Sequence, residues 1–379
     1  MRLEDEILRA VRHQAALDTE NKKSNDDILA IANNVMDSVH RHTYDFTKSD
    51  TIILNQNGKR RFAKMFSDDF SPESILCQSI KQIIDRAHRV KYPNRNKSVR
   101  ALFDVLRATK QMSDFTIIKF DFKDYFNSIS AEYVFEKYLK SNLPERSSAE
   151  LIKNYTNQTK YAYAGLSTSN VICEIIAKHF DEVVKQKLSD KGVIFYERYI
   201  DDSVIIFNEH IDEQQFKNII NEALKEVFHD RRIAVTIKCR TQFNEGKFCY
   251  ISRRILSNIP MHVNYLGYEF TFCLKKGKCR VVYGITQEKR NKNNARIDEI
   301  IKAYIDPSSH DYNNLELLRH RISAFCSRSV YRNKKYKSNV WKAKGLISNY
   351  GELRFLLGSD LIDPDTETFL KNMVEDGFT

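Results

Sequence analysis

The stretch Phe195-Tyr-Glu-Arg-Tyr-Ile-Asp-Asp-Ser-Val-Ile-Ile-Phe207 decides how this chain is read: two apolar, β-prone runs meet at a pair of adjacent acids, Asp201 and Asp202. Such runs predict a hairpin with carboxylates at its turn. Successive strand side chains point to opposite faces, so neighbouring carboxylates share one space only where strand regularity breaks. Their mutual repulsion favours a cation. Hard divalent ions such as Mg²⁺ take oxygen ligands and commonly bind through one or two carboxylates plus substrate phosphates. A bare Asp-Asp is more often a solvated turn, so acid supplied by a second element decides the matter.

The upstream chain supplies it. Thr116-Ile-Ile-Lys-Phe-Asp-Phe-Lys-Asp-Tyr-Phe-Asn-Ser-Ile129 is a β-branched run that puts Asp121 where a strand ends and a polar-aromatic turn begins. A two-metal phosphoryl-transfer site needs acid from more than one direction, and these two stretches together provide it. With these residues in view, the chain resembles the reverse transcriptases. Asp121 to Ile129 looks like their first palm motif, and Tyr199 to Asp202 matches their Tyr-X-Asp-Asp signature. Ala164-Gly-Leu-Ser-Thr-Ser-Asn170 stands where the second palm motif falls, and Val263-Asn-Tyr-Leu-Gly-Tyr-Glu-Phe270 looks like the primer-grip hairpin. Four motifs in the family's order are far more specific than any one of them.

The resemblance implies a mixed α/β (α+β) right-hand polymerase with fingers, a palm of antiparallel sheet backed by helices, and a C-terminal helical thumb. It assigns Asp121, Asp201, Asp202 and the backbone carbonyl of Phe122 to two Mg²⁺ ions, with Mn²⁺ as a substitute. It puts Asp124, Tyr125 and Gly165 along the incoming nucleotide and Phe126 beneath its sugar. Arg61, on a basic finger hairpin, is the matching candidate for the triphosphate, against the alternative of an exposed basic turn. A lysine usually ends the fourth palm motif, and here Lys238 or Arg240 serves; the sequence does not choose between them. Tyr265, Leu266, Gly267 and Tyr268 fall on the primer grip. Asn94 to Leu106 resembles the second finger motif, which makes Arg95, Lys97 and Arg100 candidate template contacts.

The 379 residues carry a formal net charge of +11. Between Thr271 and Gly345 there are 18 Lys and Arg against 6 Asp and Glu, so the basicity belongs to one region. Clustered cations beside Tyr331, Tyr336 and Trp341, with Lys334, Lys335 and Lys337 at the centre, suit a phosphate backbone, against the alternative of a solvated helix face. An apolar fraction of 42% is ordinary for a globular protein. No apolar run reaches the length of a membrane span and the start lacks a signal-peptide core, so a cytoplasmic protein without membrane association is expected. Seven scattered cysteines with no Cys-X-X-Cys suggest reduced, structural thiols rather than a disulfide or zinc framework.

Taken in order, residues 1–50 predict an N-terminal helical element, 51–112 fingers, 113–284 palm with part of the fingers, and 285–379 a helical thumb. Ser71-Pro72 is a helix start, and Pro93 forces extension before a further helix. Val171 to Phe180 predicts a helix under the sheet, with His179 as a structural histidine. Asp212 to Phe228 predicts another helix, and Ile233 to Ile237 a strand. Fewer than 100 residues follow the palm, so no ribonuclease H, integrase or endonuclease extension is expected.

Two departures bear on detail. The family's second palm motif begins Gln-Gly and contains Pro, whereas this chain has Ala164-Gly165 and Ser167. Such a motif, in a compact chain, is more similar to the bacterial defence-associated, abortive-infection reverse transcriptases than to retron or group II intron enzymes. Membership there implies an RNA template, in some members a dedicated noncoding RNA, with dNTPs, a DNA product, and homo-oligomers or companion defence proteins. Two other readings remain: an RNA-dependent RNA polymerase, and a catalytically dead RNA-binding subunit. RNA polymerases of this shape tend to carry Gly-Asp-Asp and an acid five residues past the first aspartate, where this chain has Ile200-Asp-Asp and Phe126. A dead palm would usually have lost an acid, and all three are kept.

Overall fold

The computed structural model describes residues 2–18, 21–56, 59–143, 145–306, 314–326, 329–333, 340–344 and 350–375. In chain order the elements are α1 (Leu3–Leu17), α2 (Asn25–His40), β1 (Asp50–Gln56), β2 (Lys59–Met65), α3 (Pro72–Ala87), α4 (Arg95–Ala108), β3 (Thr116–Phe120), β4 (Phe122–Lys123), α5 (Tyr125–Ser128), α6 (Ala131–Val134), α7 (Arg146–Thr159) and α8 (Ser167–Lys187). They continue with β5 (Val193–Tyr199), β6 (Asp202–Phe207), α9 (Glu213–Phe228), β7 (Gln242–Phe243), β8 (Cys249–Ser252), β9 (Met261–Tyr265), β10 (Tyr268–Lys275), β11 (Lys278–Ile285), α10 (Gln287–Ile305), α11 (Leu315–Cys326), β12 (Ser329–Asn333), β13 (Val340–Lys344) and α12 (Pro364–Glu375).

The centre is an antiparallel sheet in the order β5-β6-β3-β8. Its middle strands are buried on both faces: in β6, Ile205 and Phe207 turn to one core, Val204 and Ile206 to the other. The first core lies between the sheet and α8 and α9, with Phe120, Phe122, Phe180, Phe216 and Phe228 packed ring to ring. It continues into α1 and α3, where buried Glu6 of α1 pairs with Arg86 of α3. The second core joins the sheet's other face to α4 and the three-stranded sheet β11-β10-β9.

Local chemistry explains the boundaries. Ser24 and Asp27 form a reciprocal capping box at the start of α2. Ser71 caps α3 with Pro72 at its first position, and the Asn94 side chain accepts from Asn96 and Lys97 at the start of α4. The outer edge of β11 is covered by a later segment: the Tyr283 N–H donates to the Leu361 carbonyl and the Asp363 N–H to the Tyr283 carbonyl, both at 2.8 Å. Arg290, 8% exposed, ties this corner together through the Ile285 carbonyl, Asp363 and Thr366.

Two expectations are corrected. Residues 233–237 do not form a strand. The Glu132 carboxylate accepts the N–H groups of Thr236 and Ile237 at 3.0 and 2.9 Å, and Ser130 Oγ donates to the Ile237 carbonyl at 2.6 Å, so side chains take the place of a ladder partner. The region after 284 is not purely helical either, because β12 and β13 form an antiparallel hairpin within it, in keeping with β-prone Val330, Tyr331, Val340 and Trp341. Lys334, Lys335, Lys337 and Tyr336 lie outside the described residues. Among the described residues no helix is long and apolar enough to cross a membrane.

Candidate active site

The hairpin β5/β6 closes through Ile200 and Asp201, with Tyr199 paired to Asp202. Ile200 has φ +61°, a left-handed conformation that a β-branched residue rarely adopts. β3 lies against β6 with Phe120 opposite Ser203. One further step in that register sets Asp121 across from Asp202, so the sheet itself brings the two acidic stretches together. Asp121 is 2% exposed. Asp121 Oδ1 is buried with no hydrogen-bond donor, an arrangement that stays expensive until something positive meets it.

Two lysines meet it in part. Lys119, two residues before Asp121 and so on the same strand face, brings its Nζ to 2.9 Å from Asp202. Lys247, from the loop between β7 and β8, pairs with Asp121. Burial, aided by the charge of Asp121, pushes the Asp201 carboxyl above the usual range. Burial also pushes Asp202 up, to about 6, with Lys119 opposing and Asp201 and Asp121 adding to the rise. For Lys247 burial works against the charge, but its bond to Asp121 and the field of all three aspartates hold its pKa above the ordinary value. Among the described residues no group of three or more His, Cys, Asp or Glu stands ready-gathered for an ion. The candidate ligands are nonetheless all hard oxygen, the Asp121 Oδ1 lacks a donor, and their present counterions are lysines, long side chains with several rotatable bonds. That set suits a hard divalent cation once Lys119 and Lys247 turn aside.

Beside this cluster lies a cavity of about 240 Å³ lined by Tyr92, Tyr125, Phe126, Cys173, Tyr199 and Ile200, among others. Phe126 is partly buried at its wall. Tyr125 is deeper: 4% exposed, stacked on Phe122, with its hydroxyl donating to the Cys173 carbonyl at 3.2 Å. Asp124 is exposed at φ +46° and accepts from Asn127 at 2.8 Å. Ala164 accepts the Lys64 N–H at 2.7 Å, which joins the finger hairpin to the second palm motif. Gly165 has φ +102°, and a Cβ there would stand 2.4 Å from the Lys64 carbonyl oxygen. Arg61 is exposed on β2 opposite Leu54. Lys238 and Arg240 are both exposed; the Arg240 guanidinium lies over the Tyr161 ring at 5.0 Å.

β9 and β10 turn through Leu266 and Gly267, at φ +51° and +87°, the pattern of a tight two-residue hairpin. Tyr265 and Tyr268 are buried on either side, and the Tyr265 hydroxyl has no partner. The finger cations divide. Arg95 donates to the Leu266 carbonyl at 2.6 Å and lies over the Tyr268 ring. Arg100 pairs with Glu352 at 3.1 Å. Lys97 is exposed. Sequence reasoning passed over Lys119, although strand alternation would have put it on the face of Asp121. It also passed over Lys247, for which a loop position gives no periodic signal.

The family model for the reverse transcriptase (RNA-dependent DNA polymerase) domain matches residues 26–270. No curated protein matches the chain. Among solved structures, telomerase from Candida albicans in complex with a fragment of telomeric RNA is 11% identical, with 58% of this chain and 45% of that one covered and a TM-score of 0.38. Apo telomerase from Candida tropicalis is 12% identical over 65% of this chain and 51% of its own, also with a TM-score of 0.38. The chain thus spans about half the length of these telomerase chains. From the match across residues 26–270, the chain belongs to the reverse transcriptase (RNA-dependent DNA polymerase) family.

Proposed function

We propose that the protein copies RNA into DNA, with Asp121, Asp201 and Asp202 holding two Mg²⁺ ions. The observation that carries the reading is the β3/β6 register, which sets Asp121 across from Asp202 with Asp201 next to it, one buried Asp121 oxygen unpartnered, beside the cavity walled by Phe126. Bound there, the ions would supply charge neutralisation at the attacking and leaving oxygens of an in-line displacement. The chain's own part is orientation. Asp124 and the amides after it flank the triphosphate path, Phe126 closes the floor under the sugar, and the Tyr265–Tyr268 turn meets the primer terminus. Lys119 and Lys247 keep the carboxylates charged and gathered before a cation arrives. A role in bacterial defence with a dedicated noncoding RNA is the narrower form of this proposal, supported by the departures in the second palm motif, Ala164-Gly165 and Ser167.

Primer extension with labelled dNTPs on an RNA template tests the activity. Asp121→Asn or Asp201→Asn should each lower incorporation by more than about a hundredfold while the melting curve stays cooperative. Near-normal extension by either variant would remove the carboxylates from the reaction. Preference for GTP over dGTP in the wild type would point to an RNA polymerase instead. Sequencing the nucleic acid that copurifies with the protein tests the noncoding-RNA form.

A further inference from the structure

Arg198 stands immediately before the Tyr199–Asp202 turn and is 5% exposed. Every N–H of its guanidinium is used. Nε lies 3.0 Å from both Asp181 oxygens; Nη1 donates to Glu174 Oε2 at 3.2 Å and to the Ile200 carbonyl at 2.9 Å; Nη2 donates to Glu174 Oε1 at 2.7 Å and Asp181 Oδ2 at 2.9 Å. Tyr196, two residues earlier on the same strand face, adds a hydroxyl bond to Asp181 at 2.5 Å. Glu174 and Asp181 lie seven residues apart on α8, and therefore on one side of it.

What sets this apart from an ordinary buried ion pair is the bond to Ile200. That residue holds φ +61°, a conformation that costs a β-branched side chain free energy and persists only where its surroundings over-determine it. The next peptide carries Asp201, so the plane of the Ile200 carbonyl sets where the Asp201 carboxylate points. On its other side Arg198 grips α8, whose Asn170, Cys173 and Glu174 line the same cavity as Phe126, Tyr199 and Ile200.

We infer that Arg198 is a positioning residue: it holds the left-handed Ile200 turn against α8 and thereby aims Asp201 into the carboxylate cluster. The inference rests on the polymerase reading for its consequence but not for its geometry. A planar fork with five donors is what the site uses, and lysine, with a single tetrahedral ammonium, cannot replace it.

The test compares wild type, Arg198→Lys, and Arg198→Lys combined with Ile200→Gly, by steady-state dNTP incorporation and by terbium luminescence as a metal-binding readout independent of turnover. Arg198→Lys should lower kcat at least tenfold, change the dNTP KM less than threefold, and weaken terbium binding at least fivefold. Glycine adopts positive φ freely, so Ile200→Gly should recover at least half of the logarithmic loss in both readouts. A role confined to packing α8 on β5 predicts a lower melting temperature with kcat and terbium affinity unchanged, and no rescue. Either of those results in a folded Arg198→Lys protein overturns the inference. If Arg198→Lys does not fold, Arg198→Gln with Asp181→Asn, which removes one charge of each sign and keeps the net charge of the cluster, carries the same expectations. Failure of that variant to fold as well makes Arg198 part of the scaffold and also overturns it. A wild type that incorporates no nucleotide would sink the polymerase reading alone, because the terbium comparison still reads the turn.

Discussion

Replacing Asp202 with asparagine should make the metal-free protein more stable while abolishing its proposed activity. In the folded chain the Asp202 carboxyl has a pKa of about 6, against 3.8 when unperturbed, because it is buried beside Asp201 and Asp121. A raised folded pKa means that the native state binds the proton more tightly than the unfolded chain. That stabilisation is complete below pH 4 and is lost as pH rises from about 4 to about 6. The shift corresponds to an upper bound of about 3 kcal/mol. The side chain is 22% exposed and its removal strands Lys119, whose own side chain is only 12% exposed, so the net gain at pH 7.5 should be nearer 1–2 kcal/mol. For a folding unit the size of the fingers and palm this is a rise of about 3–6 °C. Thermal melts in EDTA between pH 4 and pH 8 measure it, with the difference between variant and wild type shrinking towards zero at the acid end. Mg²⁺ should raise the wild-type transition and move the variant less. A variant less stable than wild type at pH 7.5, or a difference independent of pH, would show that Lys119 and Lys247 already satisfy the cluster and that it does not await a cation.

Three further outcomes are expected. Phe126→Ala or Phe126→Val should raise use of GTP relative to dGTP about tenfold or more, since the ring excludes a 2′-hydroxyl and gives it no hydrogen-bond partner; a folded variant with unmoved preference would make Phe126 a core aromatic only. Gly165→Ala forces a Cβ onto the Lys64 carbonyl at a φ of +102°, so it should cost at least about 2 kcal/mol in a thermal melt and raise the dNTP KM by loosening the finger hairpin; unchanged values would mean that the junction yields freely. Replacing Lys334, Lys335 and Lys337 with Gln should flatten the slope of log affinity for RNA against log salt by about 2, and an unchanged slope would put those charges in solvent.

The carboxylate hairpin was legible because short-range pattern and chemistry agree there: β-branched runs, a two-residue break, and acids at the break. The same holds for Asp121 at a strand end and for the capped starts of α2, α3 and α4. The segment 233–237 misled because its apolar alternation is that of a strand, while the groups that take up its backbone come from Ser130 and Glu132, more than a hundred residues earlier. Cations were the least legible class. Arg95 and Arg100, candidate template contacts in the sequence, have partners within the chain that no local pattern announces, the Leu266 carbonyl and Glu352. A basic residue looks the same in sequence whether it faces a backbone, a carboxylate or a nucleic acid, and only the fold names its partner.

The cover on the edge of β11 has a consequence for how the protein is made. The three-stranded sheet β11-β10-β9 is sealed by the Leu361–Asp363 segment and by Thr366, whose hydroxyl accepts the Ile285 N–H across 81 residues of chain. During synthesis the central sheet and its helices therefore emerge and pack while this edge still offers open N–H and C=O groups. An open edge is a template for pairing with another nascent chain. A ribosome stalled before residue 361 would carry a folded central sheet with a sticky flank, and chains truncated there should aggregate although every residue of the proposed reaction is present.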